Sequence, residues 1–185
     1  MSDKVPAAHL EPRHSERGVT LLETVVALSI LLIVAMGLLP LGVVAVSTTE
    51  SQGHLVARVT EYSQDKMEQL LSLAYNDSVT DTRARVATPF GAASGGTGLA
   101  VGGSANPAAP VALYVDYLDA MGTPVDGTGT AAPAGWFYRR VWQISLPTGT
   151  TGVKQVTVTT TVARRVGWLG FMPQTTVVSQ KTFPF

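Results

Sequence analysis

A chain of 185 residues has room for one domain with a modest core. Its 13 basic and 13 acidic residues cancel, so no basic footprint for nucleic acid is present; with no cysteine it has no disulfide, thiolate metal site or thiol nucleophile. Charged residues make up 14% against about 25% in soluble domains, and the apolar excess is concentrated between Val19 and Val46.

The first 18 residues form a polar tail with Lys4, Arg13 and Arg17 set against Asp3, Glu11 and Glu16. Behind it, the 23 residues from Thr24 to Val46 carry no charge. As a helix they reach about 35 Å, enough for a hydrocarbon core of about 30 Å. A cleaved secretory signal has an apolar stretch of only about 7–15 residues, so this run is too long for one. The positive-inside rule counts the tail's Lys and Arg residues and places the tail in the cytoplasm. Everything after Val46 is then expected on the far side of a single span.

Glu23 sits in the first turn of this helix. Thr20-Leu21-Leu22-Glu23 reads as a capping box, in which Thr20 caps the helix and Glu23 reaches back to the Thr20 N–H. A carboxylate there also suits the helix dipole. That accounts for tolerance of the charge but not for the surrounding stretch.

The stretch Arg17-Gly18-Val19-Thr20-Leu21-Leu22-Glu23, followed by an unbroken apolar helix, resembles the signal of type IV prepilins and type II secretion pseudopilins. The resemblance is strong over residues 13–46 and weak beyond. It implies a prepilin peptidase that cuts between Gly18 and Val19, N-methylation of Val19, and Glu23 as fifth residue of the mature chain. Val19 stands where the family most often has Phe. The implied partners are that peptidase, other pilin or pseudopilin subunits met through the N-terminal helix, and the lipids of the inner membrane. The implied location is the inner membrane, with a cytoplasmic N-terminus and a periplasmic C-terminal domain, and later a pilus or pseudopilus.

Physical chemistry gives the acid a role in such an assembly. Cleavage would expose an α-amino group with an ordinary pKa near 8, largely cationic at neutral pH. An ammonium and a carboxylate are each costly in lipid when alone. Stacked helices let the amine of one subunit meet Glu23 of its neighbour, which makes Glu23 a filament-assembly residue. Capping and assembly are compatible.

Pro40, flanked by Gly37 and Gly42, deletes the hydrogen bond to the Met36 carbonyl and is expected to kink the helix. Neighbouring elements let membrane helices tolerate this. The resemblance offers a second reading, since pilin helices loosen near such prolines inside filaments.

Past Val46 the helix is expected to continue to Asn76-Asp77 with an amphipathic pattern. Leu55, Val59, Tyr62, Lys66, Leu70 and Leu73 recur at spacings of three and four, with Val56, Met67, Leu71 and Ala74 beside them. Gly53 weakens it only locally, and His54 reads as a surface residue. Residues 88–110 are mostly Gly, Ala, Ser, Thr and Pro, which predicts an irregular connection with too few bulky residues for a core.

The remainder reads as β. Strands are expected over Val111–Leu118, Trp136–Ile144, Val153–Ala163 and Thr175–Phe183, with turn residues between them. In the second, Trp136, Tyr138, Arg140, Trp142 and Ile144 share a face. In the third, Val156, Val158 and Val162 oppose Thr157, Thr159 and Thr161, the pattern of a half-buried strand. The aromatic face reads as core rather than a ligand platform, with Arg140 snorkelling past it. Arg139-Arg140 and Arg164-Arg165 are too short for a nucleic-acid patch. Asp116, Asp119 and Asp126 fall near turns, and His54 is the one imidazole after the apolar run. No catalytic pair, metal site or cofactor is therefore expected.

Together these readings predict an α+β fold: a long N-terminal helix, transmembrane in its first half and amphipathic in its second, packed on a small antiparallel sheet. The predicted division is leader 1–18, assembly helix 19–46, amphipathic helix 47–77 and globular region 78–185, with its sheet over 111–185. The strand pattern resembles minor pilins and minor pseudopilins. Lack of cysteine sets the chain apart from major pilins, many of which close a C-terminal loop with a disulfide. Three readings follow: a minor pilin, a minor pseudopilin of type II secretion, or an unprocessed signal-anchored binding domain.

Overall fold

The computed structural model describes residues 20–85, 94–127, 129–163 and 172–183. The expected leader with Gly18, the expected first mature residue Val19, residues 88–93 of the small-residue segment, and Arg164-Arg165 lie outside the described residues. Helix α1 spans Leu21–Ser72, and the chain divides between Val46 and Ser47 into two compact units.

In the first unit, large apolar side chains from Leu21 to Val46 are exposed, Leu21 at 82% and Val46 at 68%. The helix continues through Pro40.

Among the described residues, the second unit contains the remainder of α1 and a six-stranded antiparallel sheet. Its strands are β1 (Gly102–Gly103), β2 (Val115–Leu118), β3 (Pro124–Val125), β4 (Tyr138–Ser145), β5 (Val153–Val162) and β6 (Gln174–Thr182). The order is β3-β2-β4-β5-β6, and β1 pairs with β4 beyond the end of β2. The registers Tyr138↔Val162 and Val158↔Val177 align the inward side chains of β4, β5 and β6 under α1. There Val59, Tyr62, Met67 and Leu70 of the helix meet Tyr138, Trp142, Ile144, Val156, Val158 and Val162. The stripe predicted for α1 therefore does cover the sheet, although Val56 is exposed and the helix stops at Ser72, short of Asn76.

The helix end is tied to the sheet. The last turn of α1 holds no basic residue to meet its orphan carbonyls. The sheet supplies one there and another just beyond: Lys181 of β6 donates to the Leu71 carbonyl in the last turn, and Lys154 of β5 donates to the carbonyl of Tyr75, three residues past the helix end, at 2.7 Å. Cations at a helix C-terminus are stabilising, so these lysines hold the helix end on the sheet.

Three sequence expectations change. Beta alternation starts at Tyr138, not Trp136, because Phe137 and Tyr138 both meet Leu118: Phe137 donates its N–H to the Leu118 carbonyl while Tyr138 pairs with it. That irregularity resets the faces. Trp136 packs edge-on to Tyr117 on the side away from α1, with ring centroids 5.8 Å apart, while Phe137 joins the helix side. Thr159 and Thr161 are also buried, at 1% and 5% exposure, so β5 is covered on both faces along its second half.

The small-residue segment, finally, does contribute to the core. Leu99 is fully buried beneath α1, and Gly103 pairs with β4. A Cβ on Gly103, where φ is +82°, would lie 2.2 Å from the Trp142 carbonyl oxygen. Glycine there permits close backbone approach.

Candidate functional site

The N-terminal end of α1 is built from short-range bonds. Thr20 accepts the Glu23 N–H on its hydroxyl at 3.3 Å and the Thr24 N–H on its carbonyl at 3.2 Å. Half of the predicted capping box is thus in place, with the exposed Glu23 in the first turn. The hydroxyls within the apolar run are satisfied on the helix itself: Thr24 donates to the Leu21 carbonyl and Ser29 to the Val25 carbonyl, both at 2.8 Å. Folding polar groups back onto the backbone lowers their cost in hydrocarbon.

Leu21–Val46 is long and apolar enough to cross a membrane, and none of its most apolar window is buried. At about 1.5 Å per residue its 26 residues reach about 39 Å. An exposed apolar surface of this extent marks contact with lipid or other helices. Pro40 lies within it and has no N–H for the Met36 carbonyl.

The globular unit holds a second polar constellation, which sequence reading missed. Lys66 of α1, Asp116 of β2 and Arg140 of β4 are 0%, 3% and 2% exposed. Asp116 accepts Arg140 Nε at 2.8 Å on one oxygen, and Arg140 Nη2 at 2.9 Å with Lys66 Nζ at 2.8 Å on the other. The Ala84 N–H adds a fourth bond at 2.9 Å. Lys66 also donates to the Thr82 carbonyl and sits 3.9 Å over the Trp142 ring. Arg140 extends to Asp65 at 3.0 Å.

Burial alone would raise the Asp116 carboxyl, but the Arg140 and Lys66 charges outweigh it and hold it near 2. Burial dominates at Lys66 and lowers its ammonium to about 8 against the pull of Asp116. Arg140 accordingly does not snorkel to water. Lys66 is an inward member of the helical stripe, and Asp116 lies in a strand rather than at a turn. The signal was present in Lys66 itself, a cation at an apolar heptad position, which requires a buried anion.

The other carboxylates noted in the sequence are also engaged. Asp119 accepts the Met121 and Thr123 N–H groups at 2.8 Å, closing the turn before β3. Asp126 accepts from Arg85 at 3.2 Å. His54 is exposed on α1.

A bare apolar N-terminal helix leading into an α+β unit fits a membrane-anchored protein. Residues 13–39 match the prokaryotic N-terminal methylation motif, the signal found on type IV pilins and pseudopilins, so the chain carries that signal at its N-terminal end. No curated protein and no solved structure matches the chain.

Proposed function

We propose that this chain is a minor pilin-like structural subunit, without enzymatic activity, incorporated into a type IV pilus. Prepilin peptidase cuts between Gly18 and Val19, and Val19 is N-methylated. The observation that carries the reading is the continuity of the methylation motif with an exposed apolar helix whose first turn holds Glu23. In the bilayer the new ammonium of one subunit pairs with Glu23 of the next, and two groups costly in lipid alone become tolerable together. Residues 19–46 are the assembly segment, and Pro40 is where the helix loosens or bends. The C-terminal unit is periplasmic.

The test is the intact mass of the membrane-extracted protein. A chain beginning at N-methylated Val19 is the expected result; a chain beginning at Met1 assigns an unprocessed anchor and overturns the reading.

The same motif serves pseudopilins and supports the second reading, a minor pseudopilin of type II secretion. A deletion strain separates them: loss of pili favours the first, and loss of protein secretion with pili intact favours the second.

A further inference from the structure

We infer that a cavity on the sheet face away from α1 binds a monocarboxylate carried on a small apolar body, with Arg139 as its anchor. The site lies within the second unit and does not depend on how the chain assembles.

The cavity is floored by one row across the sheet. Tyr117 of β2 pairs with Arg139 of β4, Arg139 with Thr161 of β5, and Thr161 with Gln174 of β6. Directly paired residues of antiparallel strands project to the same face, so these side chains stand in line about 4.8 Å apart. The last three line the cavity. The irregularity at Phe137 sends Trp136 to the same face, edge-on to Tyr117. Trp136, Pro107 and Met172 wall a volume of about 310 Å³.

Charge pairing singles out Arg139. Arg58, Lys66, Arg83, Arg85 and Arg140 each reach a carboxylate at 2.7–3.3 Å. Lys154 and Lys181 donate to backbone carbonyls near the end of α1. Arg139 makes no ion pair among the described residues. Of its five N–H groups, one on Nη1 goes to the Pro107 carbonyl at 2.7 Å. Its Nε is buried with no hydrogen-bond partner among those residues. The rings of Trp136 and Tyr117 hold the guanidinium, 4.7 and 5.6 Å from their centroids, without neutralising it. No Asp or Glu follows Asp126 in the sequence, so β4, β5, β6 and their connections bring no side-chain acid to the site.

A half-buried guanidinium beside an open cavity calls for an anion, and its planar fork suits two-oxygen acids. One uncompensated cation matches one negative charge, which favours a carboxylate over a phosphate dianion. Thr161 and Gln174 offer a hydroxyl and an amide to its oxygens, and the apolar wall receives the body. Small-ligand cavities run about 300–1,000 Å³, so this one holds a single ring or a short chain. A second cleft of about 410 Å³ differs, because its charges are already matched: Glu61 with Arg58, Asp65 with Arg140, and Arg85 with Asp126.

The acid can belong to a free molecule or to the end of a peptide. The test titrates the full-length chain in detergent with para-fluorobenzoate and its neutral counterpart para-fluorobenzamide, followed by fluorine NMR. Saturable binding of the acid, at least tenfold tighter than of the amide, is expected. Arg139→Gln keeps a donor for the Pro107 carbonyl and is expected to weaken acid binding at least tenfold at an unchanged urea midpoint. Ala108→Trp leaves Arg139 in place and narrows the cavity; it is expected to weaken acid binding as much, and it decides the point if Arg139→Gln does not fold. A tripeptide ending in phenylalanine separates the sources: tighter binding than para-fluorobenzoate assigns a peptide terminus, and the reverse order assigns a free acid. Equal binding of acid and amide, no saturable binding of any acid probe, or wild-type affinity in a folded variant overturns the proposal.

Discussion

Arg140 grips Asp116 with two hydrogen bonds, Nε to one oxygen at 2.8 Å and Nη2 to the other at 2.9 Å, in the plane between sheet and helix. The bidentate geometry fixes both side chains, and Lys66 closes the group from α1. One anion therefore ties the helix to two strands. Removing it should be far more damaging than removing either cation. Asp116→Ala leaves two buried cations facing each other and is expected to cost about 3–5 kcal/mol. Lys66→Met keeps the Arg140–Asp116 pair and is expected to cost less. Urea unfolding of both variants tests the order, and equal losses would contradict it.

Acid should weaken the same tie. Asp116 is held at about 2 in the fold against 3.8 as its ordinary value, so the unfolded chain binds the proton more readily. This contribution is complete above pH 4 or so and is lost as pH falls through about 2; it amounts to about 2 kcal/mol. Lys66 also titrates below its ordinary value, at about 8 instead of 10.5. Across that alkaline window the unfolded chain again holds more protons, so stability rises with pH. Lys66→Met should flatten the alkaline rise, and unfolding measured from pH 7 to 10.5 shows whether it does.

Capping and assembly at the N-terminus can be separated by two substitutions. Thr20→Ala removes the acceptor for the Glu23 N–H and is expected to cost the helix about 1 kcal/mol without stopping incorporation. Glu23→Ala keeps insertion but is expected to leave the subunit out of filaments. Quantifying both chains in membrane and filament fractions decides the matter. Matching defects would reduce Glu23 to a capping residue.

Gly103 should be far less replaceable than Gly129. Gly103→Ala places a methyl 2.2 Å from the Trp142 carbonyl at a φ of +82°, and a loss of about 2 kcal/mol or more is expected. Gly129→Ala has open space around it and no positive φ, so its effect should stay within about 0.5 kcal/mol. Thermal melts of the two variants compare a close-approach glycine with a permissive one.

Leu99→Ala tests whether the small-residue segment belongs to the core. Leu99 is fully buried against Leu70, Trp142 and their neighbours, and truncation is expected to cost about 2–5 kcal/mol. A neutral outcome would return the segment to the role of simple connector.

What could be read directly from the residues was whatever depends on short sequence distance. The uncharged run after Glu23, its Thr20 cap, the stripe of Val59, Tyr62 and Leu70, and the alternation of Val156, Val158 and Val162 each express a local period of 3.6 or 2. Hence the long helix, the strands and their antiparallel packing were legible, as was the motif around Gly18 and Glu23. Tertiary structure alone decided which distant groups meet. Lys66 and Asp116 are 50 residues apart, Lys181 and Leu71 110 apart, and nothing in a local period relates them. The irregularity at Phe137 turned Trp136 to the other face, and glycine spacing gave no hint that Leu99 enters the core. Secondary structure follows from neighbours along the chain, whereas buried charge pairing and sheet edges follow from neighbours in space.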